Sequence, residues 1–250
     1  MSLTDPSMAA VVGKQIQFKM KSCIGMFSTL VILQLLALFF ALGGSGMLGG
    51  SGSMLSYQIN YYSIDIIVVF TILWAFINAI LIKTKAYRED DFAFVTNRLS
   101  SNLSNIVFLF IGSIVGGITA SLSGYLLRIA IYFLFDDNQQ MIYSSTGYNL
   151  MDLLVGTIAM IVLIFLFSSF GYIIGTLVHL HKAFAYIVPV AILGFIFLFE
   201  VSTEIHVLME IGSFYFGEDS FWLFGGKAII TLVLFLAGSM LISNRLEVRQ

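Results

Sequence analysis

Charge is scarce in this chain, because only 10% of its 250 residues are Asp, Glu, Lys or Arg. A soluble domain carries about 25% charged residues. Hydrophobic residues make up 59% of the chain, including 24 Phe, and a soluble core could not bury so much apolar surface. The sequence therefore predicts that lipid is the solvent for most of the protein.

Cysteine is also nearly absent, since Cys23 is the only one. A single cysteine excludes an internal disulfide and a Cys-rich zinc site, and we predict that Cys23 is a small packed residue. The net charge of −2 offers no basic surface, so no nucleic-acid partner is predicted. No cleaved leader is expected, because the first 22 residues carry three Lys and no apolar core.

Motifs for nucleotide binding and proteolysis are missing as well. The glycine-rich stretch 43–52 contains no Lys, so it cannot cradle a phosphate, and we predict a flexible turn or a close packing site there. None of the three His lies inside an apolar segment, which disfavours an intramembrane serine protease. His179 and His181 point to different helix faces, which disfavours a metal site. The chain is predicted to be no enzyme and to bind no cofactor itself.

Six apolar segments are present, and each approaches the roughly 20 residues that cross a bilayer. Their predicted bounds are 24–42, 64–82, 106–134, 153–178, 183–199 and 222–242. The predicted fold is all-α, with one polytopic membrane domain over residues 1–250. Small residues at 112–117 and at 171–175 predict close approach of neighbouring helices.

Lysine and arginine determine the predicted orientation. All but Arg128 and Lys227 lie at the two ends of the chain, between spans two and three, or between spans four and five. Because short loops keep such residues in the cytoplasm, both termini are predicted to be cytoplasmic. Four charged residues then fall near the outer boundary: Asp65, Arg128, Asp152 and Glu200. They predict a salt-bridged gate or a substrate contact; alternatively, they simply reach the outer headgroups.

A surface helix is predicted before the first span. Residues 8–22 place Met8, Val12, Ile16 and Met20 four apart, which is typical of a helix lying along the membrane surface. Lys19 interrupts this apolar stripe and is expected to snorkel toward water.

A second helix outside the membrane is predicted over residues 91–103, between spans two and three. Phe92, Val95, Leu99 and Leu103 share one face of it. An acidic residue, Asp90 or Asp91, can cap its start. The sequence thus predicts an amphipathic cytoplasmic helix that ends before the third span begins at residue 106.

This layout resembles the permease subunit of an ABC-2 type transporter, in the type V exporter group. The matching parts are residues 8–22, 84–103 and the outer stretch 200–226. Residues 94–105 look like this region in permeases of Gram-positive peptide-export systems, which include exporters of phenol-soluble modulins and antimicrobial-peptide resistance systems. Glu89-Asp90-Asp91 stands where many members of the family have a proline.

The resemblance implies a bacterial plasma-membrane protein that moves amphipathic peptides or other hydrophobic compounds outward. It implies two permease chains, identical or different, and a separate ABC ATPase subunit that binds ATP and Mg²⁺. The residues expected to contact that ATPase are Glu89, Asp90, Asp91, Phe92, Val95, Arg98 and Leu99. A secondary transporter and a non-transporting regulatory membrane subunit remain as alternatives.

Overall fold

The protein is mainly helical. The computed structural model describes residues 8–44, 46–51, 56–84, 98–134, 150–181, 183–202, 207–217 and 220–245. The helices are α1 Met8–Ser22, α2 Ile24–Ala41, α3 Asp65–Leu81, α4 Arg98–Leu134, α5 Leu150–Leu180, α6 Phe184–Ser202, α7 Val207–Phe216 and α8 Phe221–Arg245. A two-stranded sheet, formed by β1 Gly46–Ser51 and β2 Ser56–Tyr61, joins α2 to α3.

Four of these helices are long and apolar enough to cross a membrane: α2, α4 from Leu99, α5, and α8 as far as Ser243. The chain is therefore a multi-pass membrane protein. Each of the six predicted spans contains a helix, and two of these helices are shorter, with 17 residues in α3 and 19 in α6. Four candidate spans are thus established among the described residues, and the full set of six stays a prediction.

The glycine-rich segment after α2 differs from its prediction as a flexible turn or packing site. β1 pairs antiparallel with β2, in a register that runs from Gly46 opposite Tyr61 to Ser51 opposite Ser56. The missed signal lies in β2, where Tyr57, Ile59 and Tyr61 alternate with polar residues. That period of two is typical of a strand.

The main core forms where α2, α3, α4 and α5 meet. On α3 the buried residues Thr71, Trp74, Ala75, Asn78 and Ala79 follow the spacing of one helix face. Cys23 belongs to this core as a buried residue, which confirms its predicted packing role. Trp74 donates its indole N–H to the Met26 carbonyl at 3.1 Å and so ties α3 to the start of α2.

Glycines bring α5 against two neighbours at backbone distance, which confirms the predicted close packing. A Cβ added at Gly171 would lie 2.5 Å from the carbonyl oxygen of Phe76 in α3. A Cβ at Gly117 of α4 would lie 2.5 Å from the side chain of Ile161. Real Cβ atoms cannot approach so closely, so these crossings require residues without side chains.

The third predicted span begins earlier than expected. α4 runs without a break from Arg98 to Leu134, a length of about 55 Å for its 37 residues. The described part of the predicted cytoplasmic helix, residues 98–103, is therefore the first part of α4 and not a separate element. Serine and asparagine at 100–105 conceal this continuity in the sequence. Asn102, Ser104 and Asn105 tolerate helical geometry here because partners outside α4 hold their side chains.

The N-terminal helix α1 packs against α4, and its buried face differs from the predicted stripe. Val12, Gln15 and Lys19 are buried, whereas Met8 is 48% exposed. The expectation that Lys19 snorkels to water was wrong, since only 6% of this residue is exposed. Polar side chains on α4 accept hydrogen bonds from its ammonium group. These bonds replace the ones to water that burial removes.

Candidate functional site

A cavity of about 300 Å³ opens at one end of the helical bundle. Its walls come from the entry to α3 (residues 62–65), the face of α4 between Ser121 and Ile131, and the first turns of α5 from Asp152 to Met160. We call this end, which contains Asp65, Arg128 and Asp152, the arginine end. All three charged residues line the same cavity.

Helix starts supply the two carboxylates. Asp65 and Asp152 lie in the first turns of α3 and α5, where the exposed N–H groups and the helix dipole favour a negative charge. Ser63 donates its hydroxyl to Asp65 Oδ2 at 2.7 Å, which orients that carboxylate. Both carboxylates are exposed, while Arg128 is half-buried between α4 and the cavity. Charge therefore surrounds the mouth of the cavity.

The deep part of the cavity is different in character. Thr157 Oγ1 lies 3.0 Å from Ser121 Oγ, and each hydroxyl also reaches a carbonyl of its own helix, at Leu153 and Gly117. Met160 completes this floor. Because the hydroxyls are already hydrogen-bonded, the floor offers mainly apolar surface to any guest.

Glycine accounts for the empty space. A Cβ at Gly124 would lie 2.9 Å from Ile64, so this glycine lets the entry to α3 approach α4. A Cβ at Gly156 would meet nothing within 4 Å. Close approach at Gly124 and an absent side chain at Gly156 leave the volume between the three helices unfilled.

Three of the four residues predicted at the outer boundary are thus neighbours around one cavity. Glu200 lies in α6, and its predicted part in a salt-bridged gate or a substrate contact stays a prediction. Ser121, Thr157 and Met160 were not predicted as site residues. Their contribution depends on the rotation of α4 against α5, which an apolar segment read alone does not specify.

The residues predicted to contact an ATPase are only partly described. Glu89, Asp90, Asp91, Phe92 and Val95 lie outside the described residues. Two others begin α4: Arg98 is its first residue, and Leu99 is 44% exposed.

The opposite end of the bundle holds a layer of hydrogen bonds centred on Asn102. Its Oδ1 accepts from Lys83 Nζ at 2.7 Å and from the Tyr172 hydroxyl at 3.0 Å. Its Nδ2 donates to Ser243 Oγ at 3.0 Å. One side chain therefore connects the end of α3, α5 and α8. We call this end, which contains Lys19, Lys83 and Asn102, the lysine end.

Lys19 adds α1 to this layer. Its ammonium donates to Ser104 Oγ at 2.9 Å and to Asn105 Oδ1. Nearby, Thr176 of α5 and Ser239 of α8 share a hydrogen bond of 2.7 Å. Gln15 is the exception, because neither polar atom of its buried amide has a partner among the described residues. Five helices meet in this layer.

Comparison with known proteins gives no relative: no family model, no curated protein and no solved structure matches this chain. No cluster of three or more metal-binding side chains occurs among the described residues. The fold and the site together define a class, a multi-pass helical membrane protein with a charged cavity at one end.

Proposed function

We propose that this chain is the membrane-spanning permease subunit of a bacterial ABC exporter, which moves amphipathic peptides or other hydrophobic compounds out of the cell. The observation that carries the proposal is the cavity at the arginine end. It joins charged groups at its mouth to apolar walls, and pockets of this kind bind small amphipathic molecules. A purely structural subunit has no need to leave such a space unfilled.

The proposal includes six membrane crossings. α3 alone is about 26 Å long, slightly less than the hydrocarbon core of about 30 Å. However, Asp65 at its start lines the cavity with Arg128, and Lys83 just after its end bonds to Asn102. α3 therefore reaches both ends of α4, a helix long enough to span. A crossing by α6 then brings the number of membrane crossings to six. Because this number is even, both termini lie at the lysine end.

In this proposal the lysine end faces the cytoplasm. Lys and Arg accumulate there, as short cytoplasmic loops require. A Ser213→Cys variant tests it in a Cys23→Ala background, because Ser213 is exposed on α7, on the side assigned to the exterior. A membrane-impermeant maleimide should label intact cells at residue 213. Labelling only after the cells are opened would contradict the orientation.

The driving energy comes from a separate ATPase, with its own ATP and Mg²⁺, which docks on residues 89–99. Two permease chains, identical or different, complete the exporter. The layer at the lysine end supports this arrangement, because α4 begins at the docking segment and is hydrogen-bonded there to α1, α3, α5 and α8. Force applied at the start of α4 would therefore reach most of the bundle.

Copurification tests the ATPase partner directly. The intact complex, extracted from native membranes in mild detergent, should contain an ABC ATPase at one copy per permease by mass spectrometry. Phe92→Asp with Val95→Asp should abolish this association, because an apolar docking face cannot accept two carboxylates. Phe92→Leu with Val95→Ile is the matched control and should retain it. Unchanged ATPase binding by the doubly acidic variant would overturn the docking role, and an intact complex without any ATPase would overturn the exporter.

The polar residues deep in the bundle favour this proposal over a secondary transporter. Gln34 of α2 donates to Thr71 Oγ1 at 3.1 Å and to Thr119 Oγ1 at 3.0 Å. All three side chains are neutral, whereas a coupling-ion site near midspan needs carboxylates or broken helices. Gln34 is better explained as a structural residue, whose hydrogen bonds hold α2, α3 and α4 together.

A further inference from the structure

We propose that the cavity at the arginine end captures the free α-amino end of an apolar peptide. This inference rests on the proposed function for the substrate class. It is tested by binding to the permease chain alone, so it does not depend on the ATPase. The three parts of such a peptide end are an ammonium group, a carbonyl oxygen and a first apolar side chain, and the cavity has a counterpart for each.

The mouth of the cavity favours a cation. Among the described residues of the lining, Asp65 and Asp152 contribute two negative charges and Arg128 one positive charge, which gives a net charge of −1. Each carboxylate can accept several hydrogen bonds, and an ammonium has three N–H groups to donate. An ammonium finds an acceptor at either carboxylate, whereas an anionic head would meet like charge at both.

Arg128 suits the peptide carbonyl. A guanidinium has five N–H donors and no acceptor, so Arg128 can hold oxygen atoms but not an ammonium. Its half-buried position on α4 lies beside the cavity, in the same wall as Leu127 and Ile131. A peptide whose amine rests at the two carboxylates would present its first carbonyl oxygen to this wall.

The floor of the cavity suits an apolar side chain. From Asp152 to Met160, α5 rises about 12 Å. At that depth the hydroxyls of Ser121 and Thr157 are bonded to each other and to their own helices. A polar group placed there would exchange its bonds to water for at most the acceptor side of these hydroxyls, while an apolar group would gain by burial.

The size of the cavity limits how much of the peptide enters. About 300 Å³ is the lower end of the range for small-molecule pockets. That volume excludes a whole amphipathic helix and the paired tails of a lipid. The N-terminus of a peptide is small enough to enter and carries a positive charge. Capture of a terminal amine is a known mode of peptide recognition.

Binding to the purified full-length chain in phosphatidylcholine nanodiscs tests the inference. The probe is trileucine amide, with N-acetyl-trileucine amide as the uncharged counterpart and empty nanodiscs as the blank for partition into lipid. Titration calorimetry should give a Kd about tenfold lower for the free amine, since loss of one charged contact costs about that factor. Asp65→Asn and Asp152→Asn should each weaken the free amine and leave the acetylated probe unchanged.

Controls separate the site from the fold. Glu210→Gln, an exposed carboxylate on α7, should leave both probes unaffected. Gly156→Leu fills open space in the cavity and should abolish binding while the thermal unfolding temperature is kept. That variant keeps the inference testable if an aspartate variant folds poorly.

Three results would overturn the inference. Equal affinity for the two probes would show that the carboxylates do not recognise the amine. Binding that survives Gly156→Leu would place the peptide elsewhere. Displacement of the probe by phosphatidylethanolamine nanodiscs at low lipid content would assign the cavity to a lipid amine instead.

The two proposals can fail separately. Loss of peptide binding together with a normal ATPase complex would leave the exporter proposal standing, whereas peptide binding without an ATPase would leave only this inference.

Discussion

The two ends of the bundle treat polar groups in opposite ways. At the lysine end, Lys19, Asn102 and Tyr172 are buried, and each is hydrogen-bonded to a helix other than its own. At the arginine end, Asp65 and Asp152 are exposed around a cavity of about 300 Å³. Both ends of the bundle collect charge, yet one end is filled and the other is hollow.

The difference teaches that charge at the end of a helical bundle has no single meaning. Where the partners are amides and hydroxyls on neighbouring helices, a lysine becomes part of the packing and fixes how the helices meet. Where charged groups surround open space, water or a ligand completes them. The filled end therefore determines stability, and the hollow end is available for binding.

The largest expected effect breaks the packing on the filled side. Gly171→Leu places a side chain where even a Cβ would lie 2.5 Å from the Phe76 carbonyl oxygen, so α3 and α5 must separate. We expect a cost above about 3 kcal/mol, at the upper end for overpacked sites, and a sharp loss of monodisperse protein in size-exclusion chromatography. Gly156→Leu, on the same helix but at the hollow end, should retain the parent's elution profile. Equal losses in the two variants would contradict the comparison.

The second effect concerns the centre of the hydrogen-bonded layer. Asn102→Ala removes one hydrogen-bond partner each from Lys83, Tyr172 and Ser243. We expect destabilisation of about 2–3 kcal/mol, because a charged group, a buried phenol hydroxyl and a half-buried serine hydroxyl each lose a bond. Thermal unfolding in detergent measures it. Asn78→Ala is the matched control, since the Asn78 amide bonds only to a carbonyl of its own helix, and it should cost less. A smaller effect at Asn102 than at Asn78 would contradict its role as a connector.

The third effect tests the attachment of α1. Lys19→Met keeps the length of the side chain but removes the donor to Ser104 and Asn105. We expect a loss of about 1–2 kcal/mol from the acceptors left without this partner, and faster proteolysis of residues 8–22. Lys14→Met, on the exposed face of α1, should change neither. Equal stability and equal proteolysis in the two variants would mean that Lys19 contributes only the packing of its aliphatic stem.

Sequence patterns predicted the positions of the helices because lipid imposes a length and an apolar composition on each span. They also predicted that Asp65, Arg128 and Asp152 share a level, since all three lie near span ends on one side. They failed for Lys19, whose partners lie 85 and 86 residues away along the chain. No local pattern signals a partner so distant, and the apolar stripe of residues 8–22 pointed to a different face.

The cavity itself could not be predicted for a related reason. Its floor depends on which faces of α4 and α5 meet, and the contact of Gly117 with Ile161 determines that rotation. Glycine spacing indicates that two helices approach closely but not which partner is approached. The hairpin after α2 was missed because its glycines outweighed the alternation of Tyr57, Ile59 and Tyr61 in the interpretation.

The smallest expected effect lies at the hollow end and sharpens the comparison. Arg128→Ala, Asp152→Asn and the double variant form a cycle in which thermal unfolding measures the coupling of the two charges. Because Asp152 is exposed and Arg128 half-buried, water and salt screen their attraction, and we expect a coupling below about 1 kcal/mol. It should shrink further at high ionic strength. The equivalent cycle for Lys83 and Asn102 should give a larger coupling that salt barely changes, because both groups lie within the packed layer. A coupling of several kcal/mol between Arg128 and Asp152 would mean a dry, closed ion pair, and the cavity would then be a gate held shut rather than a space open to a ligand.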